Sequence, residues 1–346
     1  MLIRNMEHQY IERETKEIMA ETFFADRAIR LLYSRILESS PRLFSIVTGS
    51  RISQSLAYLN YDSFIGKKII GLGSFLRKYD IRTEECLENP RELTSLRRIF
   101  ERKIRFWDCR PMPQDSGSVV SPCDAKMIYG SLNEASQFFI KGKFFDFEEL
   151  LGKGREEWLS VFAAGDFAVF RLTPEKYHYN HAPVFGIVKD FYTIEGTYHS
   201  CHPEAIVTVC TPYSKNKRVV TIINTDIPGG TRVGLVAMVE VAALMIGDIL
   251  QCYCHHHYDH PVPVGKGLFL RKGQPKSLFR PGSSTVLLFF EKDRLRFSAD
   301  IAANMFSHKA KNIFCQKFDQ RLIETDVKVR SLVGTRRGKT GERKNS

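Results

Sequence analysis

The sequence predicts an α+β protein in which an N-terminal helical region precedes a β-rich domain. Three observations carry this reading: apolar residues at helical spacing near the N-terminus, a proline-bearing break after residue 110, and short β-type runs beyond it. From Glu12 to about Ser39, residues Phe24, Ala28, Leu31, Leu32 and Ile36 recur at offsets of 4, 7, 8 and 12, which places them on one face of a helix. Arg27, Arg30 and Arg35 fall between them, and Pro41 ends the pattern. Residues 43–105 continue with helical and mixed character and close on the charged run LRRIFERKIRFW (96–107). Pro111, Pro113 and QDSGS then read as a linker. The β-type runs are FAVFRL (167–172), RVVTII (218–223), GLVAMVEV (234–241) and STVLLFF (284–290), separated by Gly, Pro and Asn turns. From Lys328 onward, seven basic residues face Glu342 alone, the composition of a solvated, partly disordered tail. The expected division is 1–108, 109–300 and 301–346.

A chain of 346 residues that is 43% hydrophobic can build a large core. Its 51 Lys and Arg against 39 Asp and Glu give a net charge of +12, which favours polyanions or anionic lipid. The eight scattered cysteines do not form the framework of a small secreted scaffold and suit a reducing compartment. Acidic residues near the start argue against a signal peptide. The most apolar later stretch, Gly234 to Gly247, is interrupted by Glu240 and falls short of the roughly 18 residues that span a bilayer, so membrane contact is expected to be peripheral. No nucleic-acid module or aromatic-basic platform is present, and nucleic acid is not an expected partner.

Three segments carry candidate chemistry. In RLTPEKYHYNHAPVFG (171–186), Thr173 and Pro174 suit a helix start while Pro183 limits it to about two turns. Such a piece puts His178 and His181 on one side, able to bind a metal, to act as acid and base, or to do neither. Asp124 follows the proline of SPCDAKMIYG (121–130), and Gly282-Ser283 opens the run RPGSSTVLLFF (280–290). In isolation both read as turn residues.

Together they resemble the phosphatidylserine decarboxylase family. Its S-P-x-D-G appears as Ser121-Pro122-Cys123-Asp124-Ala125, its Y-H-x-x-H-x-P as Tyr177 to Pro183, and its G-S-[ST] as Gly282-Ser283-Ser284, in the same order. Ile99-Phe100 with Arg102, Arg110-Pro111, Lys141-Gly142, Leu150-Leu151-Gly152, His202-Pro203, Val239 to Ile249 and Arg271-Lys272-Gly273 add weaker matches over roughly residues 90–300. The resemblance implies a β-rich catalytic domain under a membrane-facing helical lid, and self-cleavage between Gly282 and Ser283. Ser283 would become a covalent pyruvoyl group that removes CO2 from phosphatidylserine, with no external cofactor and no metal. It implies His181 as base for the Ser283 hydroxyl, oriented by Asp124, and His178 as proton donor to the substrate carbanion. A glycine carbonyl, unshielded by a Cβ, is an accessible target for that hydroxyl. The implied partners are phosphatidylserine, an anionic membrane surface at the cytoplasmic face of the cell membrane, and the two cleaved chains held as a heterodimer. A related decarboxylase of another serine-type lipid, or a silent lipid-binding homologue, are the alternatives.

The chain departs from the family pattern at Ala125, Ala242, Met245, Asp248, Ser277 and Pro281, several of which stand where glycine is usual. The run CYCHHHYDH (252–260) is also foreign to the family. Cys252, Cys254, His255, His256, His257 and His260 offer zinc-type donors without the paired spacing of a structural zinc site; the run reads as a polar, solvent-facing strand and loop, with metal binding as the alternative.

Overall fold

The computed structural model describes residues 7–23, 32–36, 39–40, 42, 44, 47–49, 72–133, 144–209, 211–244, 248–281 and 284–338. Its strands are β1 (Gln9–Glu12), β2 (Ile18–Ala20), β3 (Ser118–Val120), β4 (Ala125–Ser131), β5 (Asp166–Leu172), β6 (Tyr179–His181), β7 (Gly186–Ile194), β8 (Arg218–Asn224), β9 (Leu235–Ala242), β10 (Ile249–Gln251), β11 (Phe269–Leu270), β12 (Pro275–Phe279), β13 (Ser284–Phe290), β14 (Leu295–Phe297), β15 (Thr325–Val327) and β16 (Leu332–Arg336). Ten of them form one sheet in the order β11-β7-β8-β9-β13-β5-β4-β15-β1-β2, antiparallel apart from the parallel pair β1 and β15. Two smaller sheets run β10-β12-β6 and β14-β16-β3. The fold is mixed α/β around this large sheet, and no helix among the described residues is long and apolar enough to cross a membrane.

The uninterrupted apolar run of β13 is what a strand covered on both faces requires. It lies between β9 and β5, and all seven of its residues are buried. Phe289 stands opposite Phe167 of β5, and the ring of Phe145 meets both edge-on at 5.6 and 5.3 Å. That ring leads into the helix Phe147–Leu151, whose start is set by Asp146, its Oδ1 accepting from Glu149 N at 2.8 Å. The helix buries Leu150 and Leu151 and stops at Gly152, whose φ of 103° suits a residue without a Cβ.

The other face of the large sheet receives the small sheet β10-β12-β6 through polar groups. Glu240 interrupts the apolar β9 and is fully buried opposite Lys276 of β12, with Nζ 2.7 Å from Oε2. Ser277 Oγ and Asn180 Nδ2 donate to Oε1 of the same carboxylate, and Gln251 Nε2 donates to Oε2 at 3.0 Å. Lys276 Nζ also donates to Gln251 Oε1 at 2.8 Å. Ser277, which stands where the family commonly has glycine, thus gives Glu240 a hydroxyl donor.

The large sheet also draws in both ends of the chain. The expected helix from Glu12 is replaced at its start by the hairpin β1-β2, because Ile11 pairs with Thr325 and completes the sheet edge. Helical backbone is found at Leu32–Ile36, where Leu32 and Tyr33 pack with Phe44, Ala205 and Leu244. Phe24, Ala28 and Leu31 lie outside the described residues. The tail expected to be solvated is folded through residue 338: β15 enters the large sheet and β16 pairs with β3 and β14. Val327 and Val333 are buried in strands on either side of a turn, and Val329 is buried within that turn against Ile104, Phe106 and Tyr177, burial that net charge conceals. Arg171 of β5 joins the two ends by donating to Glu21 and to Glu324, whose Oε2 also lies 2.7 Å from His8 Nε2.

Removing one partner of a buried ion pair strands the other charge. Glu240→Ala is therefore expected to lose about 3–5 kcal/mol, while Glu240→Leu with Lys276→Met recovers most of it. Urea denaturation of the three proteins measures this, and equal losses in the single and double variants would contradict it.

Candidate functional site

Asp124 stands at the entrance to β4 and is buried. Arg110 grips its carboxylate with both arms, Nε to Oδ1 at 3.1 Å and Nη2 to Oδ2 at 2.8 Å, and Val329 N donates to Oδ1 at 2.7 Å. Burial alone would raise the pKa of this carboxyl, but the guanidinium outweighs it and holds the value near 2. Arg110 also reaches Glu85 Oε2 at 2.9 Å. Ala125 pairs with Val327 in ordinary strand backbone, outside the left-handed region, so the missing glycine imposes no strain there.

The two histidines do not share a helix. Residues 179–181 form β6 because β12 offers a partner strand, with Pro275 opposite His181 and Leu278 opposite Tyr179. The short helix expected from Thr173 and Pro174 is a turn that ends before Tyr177. A spacing of three residues along extended chain sends side chains to opposite faces. The His178 ring accordingly lies against Phe100 at 4.8 Å, and the His181 ring meets Phe106 edge-on at 4.7 Å.

His181 is fully buried between two partners. Its Nδ1 is 2.9 Å from the carbonyl of Gly273, and its Nε2 is 3.0 Å from Tyr177 Oη. A carbonyl can only accept, so Nδ1 carries the proton and Nε2 accepts from the Tyr177 hydroxyl. Burial pushes the imidazole down to about 3, against the pull of the Gly273 carbonyl. Gly273 is itself constrained, with φ of 75° and a position where an added Cβ would meet Met112 Sδ at 2.5 Å. Tyr177 Oη continues to Tyr258 Oη at 2.7 Å, which meets the Ile104 backbone N and O at 3.0 Å each. With His181 neutral, two phenol protons serve three contacts along this chain, whereas an imidazolium supplies the third. Asp124 acts on His181 through space, because its own oxygens are taken by Arg110 and Val329.

His178 Nδ1 lies 2.8 Å from Lys176 O, and its carbonyl accepts from Phe279 N at 3.1 Å. It therefore sits where β12 leaves the small sheet toward residues 280–281. Gly282 and Ser283 lie outside the described residues. Their flanks are both inside the protein: Pro281 is buried, and Ser284 stands between Leu172 and Ala242 with its Oγ buried and unpartnered.

Comparison with known proteins sets this arrangement in context. A family model described as phosphatidylserine decarboxylase matches residues 96–312, a span holding Asp124, His178, His181 and Ser283. The chain belongs to the phosphatidylserine decarboxylase family. It is 33% identical to a phosphatidylserine decarboxylase proenzyme of Chlamydia trachomatis over 84% of its length and 90% of that protein. Proteins of the same description from Chlamydia caviae and Fusobacterium nucleatum share 30% and 29% identity, each over 86% of this chain and 92% and 91% of their own lengths.

Within this family member, sequence reasoning missed three groups of the site. Arg110 was visible only as half of an Arg-Pro pair. Tyr258 was hidden in the histidine-rich run. Glu240 was marked by its position, a lone charge in an apolar strand, but its partners lie on other strands.

The low pKa of His181 has a signed consequence. Below pH 6.5 the unfolded chain binds a proton that the folded chain refuses, so this contribution to stability is present above pH 6.5 and is lost as the pH falls toward about 3. His181→Phe should flatten the pH dependence between pH 6 and 4 by up to one proton, or about 1.4 kcal/mol per pH unit. Denaturant midpoints across that range test this, and parallel curves for the variant and wild type would refute it.

Proposed function

We propose that the chain is a self-processing phosphatidylserine decarboxylase. The observation that carries this reading is the ordered recurrence of Ser-Pro-Cys-Asp124, His178-x-x-His181 and Gly282-Ser283 inside a chain that is 33% identical to a proenzyme of that description. In this reading Ser283 Oγ attacks the Gly282 carbonyl, and the 282–283 amide becomes an ester. Elimination then leaves a carboxylate on Gly282 and dehydroalanine at position 283, which takes up water and releases ammonia to give the pyruvoyl start of a second chain.

His181 is the ultimate base for the serine proton, for which a neutral imidazole is required, and its burial supplies that state; because Nε2 already accepts from Tyr177 Oη, that hydroxyl relays the proton, passing its own to Nε2 as it takes up the serine's. The charge it acquires is balanced by Asp124 through space and accommodated by the Tyr177–Tyr258 hydrogen-bond chain. The buried flanks Pro281 and Ser284 fit a group that must be shielded from bulk water, with Ser284 Oγ free to donate nearby. The pyruvoyl group supplies a carbonyl that captures the substrate amine and withdraws electrons as CO2 leaves. His178 then delivers a proton to the substrate carbon. The net charge of +12 suits peripheral docking of the N-terminal region on anionic lipid at the cytoplasmic face.

Purified protein is expected to show a fragment of 64 residues (346 minus 282) with a blocked N-terminus, absent in Ser283→Ala. His181→Ala should stay whole and inactive. His178→Ala should cleave yet decarboxylate roughly 100- to 10,000-fold more slowly. Mass spectrometry and CO2 release decide this, and uncut wild-type protein that still releases CO2 would end the proposal. Sedimentation with vesicles is expected to require anionic lipid and to weaken with salt; equal binding to neutral vesicles would remove the docking component.

A further inference from the structure

The run 252–260, which the decarboxylase reading leaves unused, folds into a compact turn after Tyr253 pairs with Val262. Asp259 N donates to His256 O at 3.0 Å and closes the turn. This brings a side-chain donor atom from each of His256, His257 and Asp259 within 4.8 Å of the others. His256 Nδ1 and Asp259 Oδ2 are 3.5 Å apart, too long for a strong hydrogen bond and close to the separation of two ligands on one ion. The imidazoles of His256 and His257 lie 3.8 Å apart at 40°. His257 is fixed from beneath by stacking on Trp107 at 3.8 Å, and its backbone holds a left-handed φ of 48°, a costly conformation for a residue with a Cβ.

We propose that His256, His257 and Asp259 form a surface site for a divalent transition metal of the zinc class. Two imidazoles and one carboxylate select zinc, nickel or copper over magnesium or calcium, and the exposed side of the turn leaves room for water to complete the coordination. The nearby thiols are not part of it: Cys254 is buried and its Sγ is directed to Cys252 O at 3.4 Å. A second group of donors, His8, Glu21 and Glu324, has similar spacing but already holds a resident cation, since Arg171 donates to both carboxylates. The surface site has a structural connection inward, because the residue after His257 is Tyr258, the end of the hydrogen-bond chain to His181. Metal binding therefore anchors the turn that positions this tyrosine.

The test is calorimetric titration of Zn2+ into tag-free, metal-stripped, full-length protein. One zinc per chain is expected, with a dissociation constant in the micromolar range. His257→Ala and His256→Ala should each weaken it by roughly 10-fold or more; the metal-free melting temperature of His256→Ala should stay close to wild type because His256 is exposed, which separates loss of the site from loss of the fold. His308→Ala, on an exposed segment elsewhere, should not change it. Cobalt in place of zinc should give visible ligand-field bands without the thiolate charge-transfer band. Absence of binding, binding undiminished by both histidine substitutions, or a thiolate band lost in Cys252→Ser would each overturn the proposal.

Discussion

The Glu240–Lys276 pair is the interaction on which the site depends. The large sheet carries Ser284 on β13, and the small sheet carries His181 on β6. What fixes one against the other is a carboxylate buried in an apolar strand and an ammonium buried opposite it. An apolar interface would bury comparable area but would tolerate sliding, since dispersion and hydrophobic burial have little directional preference. A charged pair with its remaining lone pairs and protons satisfied by Ser277, Asn180 and Gln251 tolerates almost none, because any shift exposes the desolvation cost of both ions. Asn180 belongs both to this network and to the strand of His181, so the register of the histidine is tied to the pair.

Two buried ionisable groups close to one another are driven in opposite senses by their partners. Asp124 stays charged in spite of burial because Arg110 and the Val329 amide compensate it. His181 stays neutral because its immediate partners are a carbonyl and a phenol, neither of which offers a full opposite charge. The environment thus separates a fixed anion from a proton acceptor without direct contact between them, and leaves the acceptor with a hydrogen-bond chain that is completed only when a proton arrives.

Much of this was legible in the sequence where the signal is local. The β-type runs 167–172, 218–223, 234–241 and 284–290 are strands within a residue or two, since burial on both faces demands continuous apolar residues. The helix at Leu96–Phe100 falls where helical or mixed character was expected, and the structure adds the Ser95 cap that starts it. The family motifs brought Asp124, His178 and His181 to notice together. What was not legible depends on partners distant in sequence. Residues 179–181 became a strand because β12 was there to pair with them, and Gln9–Glu12 did so because β15 was. The basic C-terminal segment looked unstructured by charge, yet β4 pairs with Val327, β3 pairs with the strand of Val333, and Ile104, Phe106 and Tyr177 cover Val329. Arg110 could be weighed only once Asp124 was seen to lie within its reach.

The order of the large sheet has a further meaning for a chain cut between residues 282 and 283. The later segment contributes β13, which lies between β9 and β5, and β15, which lies between β4 and β1. Every one of those neighbours comes from the earlier segment. The two pieces would be woven rather than docked, with two strands of the later piece each inserted between strands of the earlier one. Separating them would mean breaking five ladders at once, four in the large sheet and that of β16 with β3, so scission of the backbone at that point would change the covalent connectivity of the protein while leaving its cohesion almost untouched.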